Sequence, residues 1–448
     1  MARLAVPVAL AELGWVSMGI VDTVMVGRLG PEEIGAVSLG GVLFLTAVVF
    51  GLGVLLGLDP LVARAFGAGD LGECHRWLVN GVWVSLAMAP LLAGAAWTCV
   101  PLLASFGVHE GVRAHTVPYL ETLLWSALPL LVYGCVRRYL QAMNLVVPVM
   151  AALVSANLVN AGTNWILIFG HLGAPALGVV GAGWATLAAR VYLAALLLAY
   201  AIWHDRRHRT GLRDVPLRPE WARIRRLTAV GVPAALQITL EVGAFALATA
   251  LAARLTPQAL AAHQVALVVA STTFMVPLGI ASAGAVRVGQ ALGRGDPEGA
   301  ATSGWTAILF GASFMAAAGL VLVLAPGPIA RTFTADEGVV RVGISLLLVA
   351  ALFQLFDGVQ VVVTGALRGA GETRIPMLVH LVAYYAVGLP LGYELCFGAG
   401  WGVRGIWTGL SVGLIGCGTV LLRVWTGRVR RFQTEPALAL GAGATASG

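Results

Sequence analysis

Apolar runs of about 20 residues alternate with short polar breaks along the whole chain, from Leu4–Gly27 and Ile34–Arg64 at the start to Ile375–Phe397 and Val403–Trp425 at the end. That is the helix length that crosses the hydrocarbon of a bilayer. The pattern recurs twelve times and predicts twelve transmembrane helices, with a third at Trp77–Phe106 and a fourth at Thr116–Val136. The two halves echo each other. Pro7 matches Pro233, Pro31 matches Pro257, and the run GAGD at Gly67 to Asp70 matches GRGD at Gly293 to Asp296, all at an offset of 226 residues. Leu140 matches Leu367 at 227 and Pro148 matches Pro376 at 228, so one duplication with a small gap spans nearly the whole chain. The expected fold is all-α and polytopic, with two pseudo-symmetric lobes of six helices, a plan common among transporters. The lobes are expected at 1–203 and 227–427, joined by a linker at 204–226, with a disordered tail rich in Ala and Gly at 428–448.

Composition supports a membrane solvent. Hydrophobic residues make up 59% of the chain and charged residues 11%, against about 25% charged in soluble domains. All 28 basic residues are Arg. Of these, 21 fall at the termini and in the even-numbered breaks and 6 in the odd-numbered breaks, while Arg190 lies within a span. By the positive-inside rule both termini face the cytoplasm. Eight of the 21 sit in 204–226, where they anchor the topology and touch anionic lipid rather than nucleic acid. The first run is too long for a signal-peptide core and carries Asp22, so no cleaved signal is expected. Arg without Lys, with abundant Ala and Gly, points to a GC-rich bacterial genome and so to a bacterial inner (plasma) membrane. The five cysteines are scattered and read as packing residues. The eight histidines read as interfacial or, for His263 and His380 near span ends, structural.

Acids inside the spans carry the candidate chemistry, because a charge in hydrocarbon costs at least about 2.5 to 3.5 kcal/mol. Glu241 lies mid-span in the seventh run, and Asp357 is similarly deep in the tenth, in the string FQLFDGVQ. A carboxylate so placed is ionised only beside a cation or strong donors and otherwise holds a proton. Asp22, six residues before Arg28, lies nearer a helix end. The repeat partners of Asp22, Glu241 and Asp357 are Ala248, Trp15 and Pro129, so the lobes share a scaffold and not a chemistry. Glu12 is expected to pair with Arg190. Asn157, Asn160 and Asn164 share one helical face, either as glue between helices or as donors and carbonyl oxygens for a substrate or cation. Pro129 and Pro277 mark places where spans can bend. No H-E-x-x-H, nucleotide-binding loop or other catalytic motif is present, so an enzyme is not expected.

The strings VDTVMVGRLG, VARAFGAGD, LQAMN, VGQALGRGD, FQLFDGVQ and GALRGAGETRIP together resemble the multidrug and toxic compound extrusion family, MATE, from about Leu4 to Trp425. The acids Glu241, in LEVGAF, and Asp357 resemble the pair of its NorM branch rather than the DinF branch. The resemblance implies a V-shaped pair of lobes around a central cavity with alternating access. It implies export of small cationic, amphipathic drugs or toxins in exchange for Na⁺, H⁺ or both. No cofactor is implied beyond the coupling ion, and a monomer in the lipid bilayer with no nucleic-acid partner is expected. On the resemblance, Glu241 and Asp357 form the second-lobe cation site and are the Na⁺ candidates, with Asp22 as a further coupling group. Asp22, Asn160, Asn164 and Thr186 match the first-lobe polar cluster, although Asn164 stands where the DinF pattern has an acid. Phe274 and Phe353 stand where relatives often carry tyrosines and are candidate aromatic walls of the cavity. The alternative within the superfamily is a flippase or exporter of a lipid-linked or other large amphiphile, whose pyrophosphate would call for several deep cations.

Overall fold

The structure is a computed structural model that describes residues 2–101 and 109–434. Its regular elements are all helical. In the first half they are α1 (Ala2–Val26), α2 (Pro31–Leu55), α3 (Leu58–Gly67), α4 (Leu71–Thr98), α5 (Glu110–Trp125), α6 (Ala127–Ala142), α7 (Val147–Phe169) and α8 (Gly178–His208). The second half holds α9 (Trp221–Ala252), α10 (Pro257–Gly293), α11 (Pro297–Leu324), α12 (Pro326–Phe333), α13 (Glu337–Gly369), α14 (Arg374–Gly398) and α15 (Val403–Thr434). Among the described residues, eleven helices are long and apolar enough to cross a membrane, and a bent pair, α5 with α6, brings the number to twelve. The far end of the predicted third span, at 102–106, lies outside the described residues. Large apolar side chains point outward along the spans, as at Leu91, Leu158, Leu309 and Leu352, which suits lipid as the surrounding solvent.

The repeat has a local cause at its best-matched strings. Gly69 and Gly295 adopt φ of +79° and +73°, a region that glycine enters without a Cβ clash. The next residue in each case caps a helix. Asp70 accepts a hydrogen bond from the Glu73 amide at 2.8 Å, and Asp296 accepts one from the Gly299 amide at 2.7 Å. Asn144 and its counterpart Gly371, at φ of 63° and 82°, end α6 and α13 in the same left-handed way.

The fourth predicted span is broken. Its two pieces meet at 44° around Ser126. Pro129 lacks the N–H that would bond the carbonyl of Trp125 four residues back, so the helix yields at that level and not at the proline itself. The last helix runs on through Arg428 to Thr434, where the sequence suggested a tail, because Val429 and Phe432 are buried and Phe432 meets Trp425 edge-on. The remainder of the expected tail, 435–448, lies outside the described residues.

Gly405, Gly409 and Gly413 form a stripe on α15 against Gly388 and Gly392 of α14. A Cβ added at Gly405 would fall 2.5 Å from the Cys396 backbone nitrogen, and one at Gly392 would fall 3.1 Å from the Ile406 carbonyl oxygen. Small residues at this spacing let two membrane helices touch backbone to backbone. Gly409→Leu is therefore expected to cost about 1 to 3 kcal/mol. A lower melting temperature of the detergent-purified protein is the readout, and an unchanged one would remove the stripe from the helix contact.

By its contacts the chain divides into two compact units. Leu10–Ala235 forms one, and the other combines the start of α1 with the chain from Leu236 onward. Both divisions fall two residues after a repeat-related proline, Pro7 and Pro233. The stretch 204–226, expected as a linker between lobes, belongs to the first unit because it is strapped along α4. His75 bonds the Thr210 carbonyl at 2.9 Å, Trp83 donates to the Leu217 carbonyl at 2.8 Å, Asn80 accepts from the Glu220 amide at 2.8 Å, and Arg223 pairs with Glu73.

The first unit also holds a buried ion pair that differs from expectation. Glu12 pairs with Arg137 of α6, not with Arg190. Arg190 instead donates to the Ser126 hydroxyl at 2.5 Å and lies over the Phe44 ring, 4.6 Å from its centroid. The bend at Ser126 presents that hydroxyl to α8, and the aromatic face takes the rest of the guanidinium.

Candidate functional site

Each unit buries one polar cluster, and the two differ in whether they contain their own cation. In the first unit, α1 supplies Asp22, α7 supplies Asn160 and Asn164, and α8 supplies Thr186. Asn164 donates to one Asp22 oxygen at 2.6 Å, Thr186 donates to the other at 3.1 Å, and Asn164 also reaches the Asn160 carbonyl oxygen at 3.2 Å. All four side chains are buried. Arg190, one turn beyond Thr186 on α8, is near enough for its charge to act on Asp22. The four residues singled out in the sequence for this lobe thus form one cluster around the Asp22 carboxylate. Asn157, on the same stripe, serves a different end: its amide donates to the Gly14 carbonyl at 3.0 Å and accepts from Ser17 at 3.3 Å, tying α7 to α1. It is glue.

In the second unit, α9 carries Gln237 and Glu241 at i and i+4, and α13 carries Asp357 and Gln360 at i and i+3, spacings that put each pair on one helical face. Helix α14 adds His380. The Gln360 amide nitrogen donates at 3.2 Å to Glu241 and at 3.2 Å to Asp357, so both carboxylates converge on one side chain. Gln237 lies 3.4 Å from the second Glu241 oxygen. His380 closes the ring, 2.8 Å from the Gln360 carbonyl oxygen. Asp357 is 5% exposed and Glu241 is half-buried. Among the described residues no Arg or His forms an ion pair with either acid. Two carboxylates held this close in a poorly solvated place repel each other and call for a positive charge.

The sequence pointed to both acids and missed the three residues Gln237, Gln360 and His380 that join them. Gln237 and Gln360 lie one helical turn from each acid, and that spacing was the available signal. His380, which looked structural, precedes a stretch of wide helical turns at Val382–Gly388, a local distortion frequent at functional sites. The aromatic expectations divide. Phe274 is half-buried on α10. Phe353 is 3% exposed and packs edge-on against Trp407 at 5.8 Å, so it is core and not cavity wall. It lies one turn before Asp357 on the same face of α13, and at that level the face is filled by the apolar packing around Trp407.

The small cluster around Glu241 and Asp357 offers oxygen atoms only from carboxylates and amides. No group of three or more His, Cys, Asp or Glu side chains fit to hold a metal ion occurs among the described residues. The donor set therefore suits a weakly held, exchangeable hard cation or an organic ammonium rather than a resident transition metal.

Comparison with known proteins gives a consistent picture. The family model described as MatE matches twice, at residues 7–166 and 233–393, with starting points at the same offset as the repeated prolines. The probable multidrug resistance protein NorM of Mesorhizobium japonicum is 36% identical over 445 residues, covering 98% of this chain and 95% of the relative. Multidrug resistance protein NorM of Burkholderia vietnamiensis is 38% identical over 435 residues, with 95% and 92% covered. Multidrug resistance protein MdtK of Edwardsiella ictaluri is 33% identical over 445 residues, with 97% and 95% covered. Among solved structures, that of the eukaryotic MATE transporter AtDTX14 superposes with a TM-score of 0.85 at 22% identity, over 97% of this chain and 98% of the other. A MATE in the bent conformation superposes with a TM-score of 0.86 at 20% identity, over 97% and 96%. At such identities the likeness concerns the fold.

Proposed function

The chain belongs to the MatE family, and on that premise we propose that it is a multidrug efflux antiporter of the bacterial inner membrane. It exports small cationic, amphipathic compounds in exchange for Na⁺, H⁺ or both, by alternating access between its two lobes. It acts as a monomer with both termini in the cytoplasm. The observation that carries the reading is the convergence of Glu241 and Asp357 on the Gln360 amide, with no ion pair to either acid among the described residues. Such a pair binds one positive charge well and two badly, so a coupling ion and a drug cation displace each other there. The gradient of the ion then supplies the free energy that expels the drug. Asp22 is buried and both its oxygens are already taken up by hydrogen bonds, which leaves room for a proton rather than for a second metal cation. On this assignment Na⁺ exchanges at the second-lobe pair and H⁺ takes part at Asp22.

The test is uptake of a fluorescent cationic dye into everted vesicles carrying the protein, driven first by a Na⁺ gradient alone and then by a pH gradient alone. Uptake under at least one gradient, and above that of vesicles without the protein, is expected. Uptake under neither overturns the reading. Asp22→Asn is expected to flatten the pH dependence of that uptake while preserving the Na⁺-driven component, and an unchanged pH profile would leave Asp22 a structural residue.

A further inference from the structure

A groove of about 650 Å³ opens on the surface of the first unit, along the bend that joins α5 to α6. Trp125, Leu128 and Val132 make one wall, with Pro129 at the bend, and Trp184, Val191 and Leu198 of α8 make the other. The α8 residues recur every seven positions, so they stand in one line along the helix. Among the described residues that line the groove none is charged. Ala194 and Ala195 also line it, and their small side chains leave the space that the larger ones bound. Trp184 and Leu198 are 14 residues apart, about 21 Å at the rise of an α-helix. That exceeds the depth of one hydrocarbon leaflet, about 15 Å. An apolar channel of such length, open along its side, matches an extended acyl chain better than a compact ring system.

One end of the groove carries a charge. Glu121 stands one turn before Trp125 on the same face of α5, is exposed, and forms no ion pair among the described residues. A Cβ added at Gly183 would collide with the Thr122 side chain, so α8 meets α5 at this level. Glu121 and the two tryptophans therefore mark the same end. Trp125 is 74% exposed and Trp184 42%, and such amphipathic rings belong at the level of lipid headgroups, where the indole N–H finds a partner. A carboxylate on a lipid-facing surface is costly unless a cation neutralises it. The basic groups nearby are already engaged. Arg113, the one arginine of α5, pairs with Glu110, and Arg190 is buried against Ser126 and Phe44. The rim thus attracts an ammonium and repels an anionic headgroup.

We propose that this groove binds one phosphatidylethanolamine molecule, with an acyl chain laid between the two walls and the headgroup ammonium on the Glu121 carboxylate. The chain touches both arms of the bend, α5 through Trp125 and α6 through Leu128 and Val132, and so stiffens it. Binding of that kind needs only a bilayer around the protein and is independent of the cation exchanged in the second unit. The test is native mass spectrometry of the purified, delipidated protein, titrated with phosphatidylethanolamine or with phosphatidylglycerol of the same acyl chains, in the wild type, Glu121→Gln and Ala195→Phe. The wild type is expected to bind its first phosphatidylethanolamine about three- to fivefold more tightly than phosphatidylglycerol, the scale of an exposed ion pair, and further lipids without preference. Glu121→Gln is expected to keep a first lipid and lose the preference. Ala195→Phe, at an exposed position, fills the groove and is expected to lose the tighter first binding for both headgroups. Equal affinities in the wild type, a preference that survives Glu121→Gln, or a first lipid still held by Ala195→Phe each overturns the proposal. A wild-type dimer that Ala195→Phe dissociates would give the groove to a second copy and overturn it as well.

Discussion

Replacing Glu241 by Gln, or Asp357 by Asn, is expected to remove nearly all ion-driven efflux of cationic dyes while the protein still reaches the membrane folded. Each change keeps the shape of the side chain and removes one negative charge from a pair that shares a single amide donor. The loss acts in two ways. The remaining acid is left with the same donors and less repulsion, so it no longer needs a mobile cation. In addition, the new amide can place a nitrogen against the Gln360 nitrogen, a contact that forces one of the two to turn. Coupling energies between ligands typically amount to about 1 to 3 kcal/mol, or 5- to 150-fold in affinity, so initial rates of gradient-driven uptake in everted vesicles are expected to fall by about one to two orders of magnitude. Size-exclusion profiles and expression should match the wild type, because the packing of α9 and α13 does not depend on the charge. Wild-type rates in both variants would remove these acids from coupling.

The second large effect is on stability. Arg137→Met leaves Glu12 buried without its partner, and breaking a buried pair from one side typically costs about 3 to 5 kcal/mol. Both residues are less than 10% exposed, so water cannot replace the lost contact. Glu12→Leu combined with Arg137→Met is expected to recover most of that loss, because two apolar side chains leave no stranded charge. Melting temperatures of the single and double variants in detergent check this. A single variant as stable as the wild type would show that the pair contributes little to the first unit.

Features whose cause is local were legible in the sequence. Apolar run length gave the spans, and the repeated Gly-Asp strings marked a left-handed turn followed by a capped helix, which is why they survive in both halves. The convergence of Asp22 with Asn160, Asn164 and Thr186 was also within reach, through spacing on one face and family resemblance together. Partners across helices were not. Whether Glu12 meets Arg190 or Arg137 depends on the rotation of α6 against α1, and no spacing within a single helix encodes that angle. The break at Ser126 illustrates a displaced effect, since the proline that causes it stands three residues later. Phe353 was misplaced for a related reason: an aromatic on a site-bearing helix can face the site or the core, and Trp407 on a different helix decides. Three of the four contacts that strap 204–226 along α4 use backbone groups, the Thr210 and Leu217 carbonyls and the Glu220 amide, which carry no sequence signature.

The central claim is that Glu241 and Asp357 hold either the drug or the coupling ion and not both. Titration of the purified protein with tetraphenylphosphonium, at rising Na⁺ and constant pH and then at falling pH without Na⁺, tests it most directly. The account predicts weaker binding in at least one series for the wild type and in neither series for the double variant Glu241→Gln with Asp357→Asn. A wild-type affinity indifferent to both Na⁺ and pH would contradict it.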